Sequence, residues 1–388
     1  MKTDGIDTIK TRIYLDYQAT TPLDKRVIDK MLPYMNSKFG NPHSSEHSYG
    51  WESEQGVAHA IRQIAEYIGA IDDEIILTSG ATESNNLAII GIAYTAQKNF
   101  IRKKTILVSA IEHKCVLGAS RFLEEMGFCV KKIPVNKEGI IDINTFNNLI
   151  TDDVLLVSIM ATNNEIGTNQ PISEIGKICK EREILFHTDA AQGGYANLDV
   201  IENNVDFMSL SAHKIYGPKG IGALFISKDS ILKPTPLIYG GDQQFGYRSG
   251  TVPTFLAVGF GEAAEIMMNE KEAEMQRLKN LRDELFATLA STCPQIKING
   301  DMKNRHPGNL NLFIPNIESK RLIYSLQPNL AFSTGSACTS GIIEPSHVLK
   351  AIGLTTDESE HSFRITIGRY TTLEEVKKAS NIILNALL

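Results

Sequence analysis

The stretch from His187 to Gly220, HTDAAQGGYANLDVIENNVDFMSLSAHKIYGPKG, sets a carboxylate, Asp189, and an amine, Lys214, each just beyond an apolar run. The first run is Ile184, Leu185 and Phe186; the second spans Val205 to Leu210 and leads into Ser211, His213 and Lys214. Ligands of an α/β sheet gather beyond the carboxyl ends of its strands, so both polar groups are expected to face one crevice. A carboxylate there can hold the protonated nitrogen of a pyridine, and a lysine can condense with an aldehyde. Taken singly, each residue has a plainer use, Asp189 bonding local backbone and Lys214 standing in solvent. A phosphate site on the same crevice decides between the two.

Such a site is readable in EIILTSGATESNNLAIIGIA. Glu74 to Leu77 read as a strand and Glu83 to Ala93 as a helix, joined by Thr78, Ser79, Gly80, Ala81 and Thr82. Free amides at the first helical turn, the positive end of the helix dipole and the Thr82 hydroxyl make an anion cradle. The alternative is an ordinary Ser/Thr cap before a packed helix. With no G-x-x-x-x-G-K-[ST], a nucleotide loop is not the competitor. An aldehyde-reactive amine, an acid for a pyridine nitrogen and a phosphate cradle are together the contacts of pyridoxal phosphate. In TILVSAIEHKCVLGA, His113 falls at another strand end, where an imidazole can stack on a flat ring, move protons or serve as a structural hydrogen-bonding residue. Asn164 follows the strand Val154 to Met160 in the same way. Ser333 to Gly341, STGSACTSG, surrounds Cys338 with small residues that cannot pack a core. In a mobile loop that thiol stays nucleophilic as its thiolate, although an incidental cysteine in a turn fits the same pattern. Arg364, in HSFRITIGRYT, lies on an alternating strand, its fork suited to a substrate carboxylate or to a surface ion pair.

These residues need a frame. At 388 residues and 42% hydrophobic content the chain can bury a sizeable core in two domains. Strands alternate with helices from Glu74 onward, which implies an α/β fold with a mostly parallel sheet covered on both faces. The pattern changes after a long helix at Pro253 to Leu289, with short strands near Ile296 to Asn299, Leu310 to Ile314 and Leu330 to Phe332. Residues 17–262 are therefore expected to form the large cofactor-binding domain, and 1–16 with 263–388 a smaller α+β domain carrying the Cys338 loop. Between them the loop Tyr239 to Thr251 is too long to be only a tight turn. A net charge of −6 with no basic face gives no reason to expect nucleic acid as a partner. No apolar run approaches the roughly 18 to 20 residues of a membrane span. The N-terminus carries Asp4 and lacks the apolar region of a secretory signal. Five widely spaced cysteines without a C-x-x-C pair speak against a disulfide framework and against a thiolate metal site, and fit a reducing cytoplasm.

With these residues assembled, the chain resembles the class V aminotransferase-like, fold-type I pyridoxal phosphate enzymes, and among them the cysteine desulfurases of the NifS/IscS group. The resemblance runs through LDYQATTPLD, GNPHS, TSGATESNN, EHKCVL, NNEIG, HTDAAQ, HKIYGPKG, RSGT, STGSACTS and FRITIGRYT. It implies a seven-stranded large sheet, a homodimer, and the conversion of L-cysteine to L-alanine with transfer of sulfur to an enzyme persulfide. Lys214 would be the Schiff-base lysine, Asp189 the partner of the ring nitrogen, and Gln192 and Asn164 the neighbours of the ring hydroxyl. His113 would stack on the ring and assist proton transfer. Ala81, Thr82, Ser211 and His213 would hold the phosphate, joined by Thr251 from the second subunit. Arg364 would clamp the substrate carboxylate and Cys338 would accept the sulfur. The destination implied is an acceptor protein in iron–sulfur cluster, thio-cofactor or tRNA thiolation supply. A selenocysteine lyase, another lyase on the same fold, or a partner-binding paralogue are the competing activities. Departures from the group's usual pattern fall at Gln244 and Phe245, where a Glu-Arg pair is usual, and at Leu388, where an acceptor-gripping tail is expected to be missing; both bear on partner surfaces.

Overall fold

Runs such as TILVS and VLLVS, rich in β-branched residues and bounded by turns, suit strands that have neighbours on both sides and helices on both faces. In the computed structural model, which describes residues 12–335 and 345–387, they form such strands. Along the chain these are β1 (Ile13–Tyr14), β2 (Ile75–Thr78), β3 (Thr105–Ser109), β4 (Cys129–Ile133), β5 (Val154–Ser158) and β6 (Leu185–Asp189). They continue with β7 (Phe207–Ser211), β8 (Gly222–Ile226), β9 (Lys297–Asn299), β10 (Asn309–Phe313), β11 (Leu330–Ala331) and β12 (Ser362–Thr366).

The large sheet has seven strands in the order β2-β8-β7-β6-β5-β3-β4. Only β8 runs against the rest, being antiparallel to both β7 and β2. All the other strands therefore point their carboxyl ends to one edge. Except for β4, every strand of this sheet is buried along its whole length. At that outer strand Lys131 and Lys132 are exposed, a charge pattern that discourages pairing with another chain. The opposite edge is closed differently. The Gln244 amide donates to the Leu77 carbonyl at 2.9 Å and accepts from the Leu77 N–H at 2.7 Å, imitating one more strand against β2. Gln244 is thus a sheet-edge residue, while Phe245 beside it is exposed.

The remaining strands form a three-stranded antiparallel sheet, β12-β10-β9, and a parallel pair, β1 with β11. The latter carries Asp16 to a bridge with Thr366. Helix Thr254–Thr292 packs against helices Ser48–Ile68, Lys25–Asn36 and Leu373–Leu387 and passes through residues 262 and 263 without a break. Arg369 ties this region to the large sheet's loops. It bonds Asp24 at 2.9 Å and Glu274 at 3.0 Å, lies 4.1 Å from the centre of the Tyr216 ring, and its N–H donates to Tyr216 Oη at 2.6 Å.

Candidate active site

Strand ends alone do not make a site; the turns that follow them do. After β2 the chain enters helix Ala81–Lys98 through Gly80, whose φ of 149° and ψ of 175° favour glycine. The helix therefore begins two residues earlier than the expected Glu83, and Ala81 and Thr82 lie in its first turn. Gly80 offers no side-chain cap, so the first amides have no acceptor from that source. Gly222, at the start of β8, allows this turn to sit close. A Cβ there would stand 2.4 Å from the Leu210 carbonyl oxygen and 2.7 Å from Gly80 Cα.

Beyond the same sheet edge lies a cavity of about 610 Å³. Ala81, Thr82, His113, Asn164, Asp189, Gln192, Ser211, His213, Lys214 and Arg364 all line it. The expected site residues are thus brought together from six separate segments, with two exceptions. Thr251 is exposed and does not line the cavity. Cys338 lies outside the described residues, as does most of the small-residue loop, although Ser333 and Gly335 at its start line the cavity. Ser333 is anchored there, exchanging backbone hydrogen bonds with Arg364.

Lys214 follows β7 and a single helical turn, and its Nζ donates to the carbonyl oxygens of Gln18 at 2.6 Å and Ala19 at 2.9 Å. Burial, then the Arg364 charge, bring its pKa down from 10.5 to about 8. His213 bonds Thr20 Oγ1 at 3.1 Å, and burial with the neighbouring Lys214 and Lys219 lowers its pKa to about 4. Asp189 is held at both oxygens, one by the Ala191 N–H at 2.9 Å, the other by Asn85 Nδ2 at 2.7 Å. His113 caps helix Lys114–Glu125, its Nδ1 accepting the Cys115 N–H at 3.3 Å and lying 3.0 Å from Cys115 Sγ. Burial lowers the His113 pKa, a fall that the Asp189 carboxylate opposes. Gln192 donates to the Gln18 carbonyl at 2.7 Å.

Arg364 departs from the half-exposed strand expected of it, because β12 is buried throughout. Its guanidinium pairs with Asp16 at 2.5 Å and with Ser333 Oγ at 3.0 Å, donates to the Asn164 carbonyl, and leaves Nε without a partner. The surface ion pair is thereby excluded. Several cavity-lining residues were given no role in the sequence reading: Asp16, Gln18, Cys115 and Glu165 lie in motifs that carry the resemblance, and His347 in none of them. Glu112, fully buried behind the site, accepts the Met160 N–H at 2.6 Å. Burial first, and Asp189 second, raise its pKa well above the carboxylate range.

These residues fit pyridoxal phosphate. The glycine-lined turn leaves room for a phosphate at a helix N-terminus, the half-buried lysine amine has a larger neutral fraction at pH 7 than a free lysine, and a fixed carboxylate faces the same space. No three-residue metal-binding group occurs among the described residues.

Sheet order, turn and cavity define a fold-type I enzyme, and the chain belongs to the aminotransferase class-V family, whose model matches residues 13–379. Within that family it is 52% identical to cysteine desulfurase IscS of Rickettsia typhi over 373 residues, 96% of this chain and 90% of that protein. Among solved structures, a NifS-like protein superposes with a TM-score of 0.90 at 35% identity, covering 97% of this chain and 99% of that one. SspA in complex with cysteine superposes with a TM-score of 0.80 at 38% identity, covering 92% and 99%.

Proposed function

We propose that the chain is a pyridoxal phosphate-dependent cysteine desulfurase that takes L-cysteine to L-alanine and passes the sulfur through Cys338 to an acceptor protein. One observation carries the reading: the half-buried Lys214 amine shares a single cavity with Asp189, His113, His213 and Arg364. The likeness to IscS over nearly the whole chain supports it, as does the likeness to SspA solved with cysteine.

Bound pyridoxal phosphate supplies an electron sink that loosens the Cα proton of an amino acid. Lys214, with its pKa near 8, is the base that takes this proton. Arg364 holds the substrate carboxylate through its fork, sharing the guanidinium with Asp16. Asp189 would hold the ring nitrogen, Gln192 and Asn164 would neighbour the ring hydroxyl, and His113 would lie against the ring and move protons. Ala81, Thr82, Ser211 and His213 would hold the phosphate. The Cys338 thiolate attacks the substrate sulfur: an S–S bond forms, the Cβ–S bond breaks, and the carbon skeleton gains a proton and leaves as alanine.

Thr251, exposed on the single chain, completes the phosphate site of a second copy, which makes the enzyme a homodimer. Residues 17–262 act as the cofactor-binding domain and 1–16 with 263–388 as the smaller one. Five widely spaced cysteines without a C-x-x-C pair fit a reducing cytoplasm. A net charge of −6 gives no reason to expect nucleic acid as a partner, and among the described residues no helix is long and apolar enough to cross a membrane.

The test is to measure alanine and sulfide from L-cysteine beside selenocysteine and cysteine sulfinate, with Lys214→Ala as the control. Turnover of L-cysteine that Lys214→Ala abolishes supports the reading. Turnover of selenocysteine alone makes the protein a lyase, and no turnover of any of the three by cofactor-loaded protein removes the enzyme reading. Solution scattering of an active monomer removes Thr251 from the site.

A further inference from the structure

Helix Ala81–Lys98 begins at the phosphate cradle, but it also reaches the opposite end of the site. Asn85 lies four residues after Ala81, so it sits on the same helical face about 6 Å farther along the axis. That rise is comparable to the length of pyridoxal phosphate from its phosphate to its ring nitrogen. Asn85 is fully buried and does not line the cavity. Its Nδ2 donates to Asp189 Oδ2 at 2.7 Å and to Cys115 Sγ at 3.1 Å. Burial pushes the Cys115 thiol up to about 12, so the sulfur stays a thiol.

The amide oxygen of Asn85 is buried without a partner, a costly arrangement that needs a reason. Charge supplies it. Rotating the amide to satisfy that oxygen elsewhere would turn it against the Asp189 carboxylate and remove the donor. Among the described residues the other hydrogen bond to the Asp189 carboxylate comes from the Ala191 N–H, two residues along its own loop, so Asn85 is the contact that fixes the carboxylate relative to another element.

We propose that Asn85 is a positioning residue: it registers Asp189 to the helix whose first turn holds the phosphate, so that one rigid element sets both ends of the ligand. This rests on the pyridoxal phosphate reading above. It separates Asn85 from residues that touch the ligand, since its whole effect passes through the contact between Asp189 and the ring nitrogen.

The experiment compares dissociation constants of two ligands on apoprotein: pyridoxal phosphate, and its 1-deaza analogue with a carbon in place of the ring nitrogen. The variants are Asn85→Ala and Asn85→Leu, the latter keeping the branched heavy-atom outline of the amide. Each is expected to weaken pyridoxal phosphate by at least about tenfold, which corresponds to ~1.4 kcal/mol, and to leave the deaza analogue unchanged. Reduced affinity for both ligands to the same degree assigns Asn85 a merely structural role and overturns the proposal, as does unchanged affinity for both. A melting curve of each apo variant identifies any that fail to fold, in which case the other variant decides. Failure of the unaltered protein to bind pyridoxal phosphate overturns the underlying reading instead.

Discussion

The half-buried amine of Lys214 gives the sharpest quantitative expectation. Its pKa near 8 leaves about one molecule in ten neutral at pH 7, whereas an ordinary lysine at 10.5 leaves about one in three thousand. The folded site therefore presents roughly 300-fold more reactive amine than an exposed lysine does. Only the neutral amine attacks an aldehyde, so the lowered pKa moves the onset of full reactivity down the pH scale. Mixing apoprotein with pyridoxal phosphate and following the imine absorbance gives the loading rate directly. Below pH 8 that rate is expected to rise about tenfold per unit and to level off above it, while a blocked free lysine measured alongside keeps rising to about pH 10. Arg364 is the second cause of the shift, and removing a positive charge favours the protonated amine. Arg364→Gln should therefore move the plateau to higher pH, with the remaining shift due to burial. A wild-type rate that climbs without a break through pH 10 would refute the argument, and a plateau that Arg364→Gln leaves in place would refute the contribution of its charge.

Gly222→Ala should cost about 1–3 kcal/mol, because the new Cβ meets the Leu210 carbonyl and the Gly80 backbone instead of movable side chains. A lower melting temperature with weaker cofactor binding is expected, and neither changing would show that the turn has slack. His187, fully buried between Ser158 Oγ and Ser209 Oγ, is held neutral by burial with its pKa lowered to about 3. The unfolded chain binds that proton below about 6.5, so stability is lost as pH falls, by about 1.6 kcal/mol between pH 6.5 and 5. Urea midpoints across that range measure it, and His187→Gln should flatten the slope; an equally steep slope in the variant would assign the loss to other groups. Cys338→Ser should bind pyridoxal phosphate and L-cysteine as the unaltered protein does yet form almost no alanine, since a hydroxyl is a poor nucleophile toward sulfur. Near-normal alanine from this variant points to a lyase that needs no acceptor thiol.

The sequence was informative wherever a property is local. Apolar runs ending in Asp189, Ser211 or His113 marked strand ends, because strand residues and the polar groups that follow them are adjacent in the chain. The glycine before ATES marked a strand-to-helix turn for the same reason, although the helix began two residues earlier than the pattern implied because Gly80 itself can make the turn. Sheet order lay beyond local reading. Placing β8 between β2 and β7 brings Gly222 against Gly80, and no spacing along the chain records that contact. Arg364 illustrates the point most directly: alternation suggested a half-exposed strand, but its ion partner Asp16 stands 348 residues away and the strand is covered on both faces. Asn85 likewise read as part of an apolar helix, and only the packing of that helix across β6 gave its amide a carboxylate to hold. Local backbone preference and the end of an apolar run are written in neighbouring residues; which buried charge meets which depends on how distant segments close around the core, and that was decided by the tertiary structure alone.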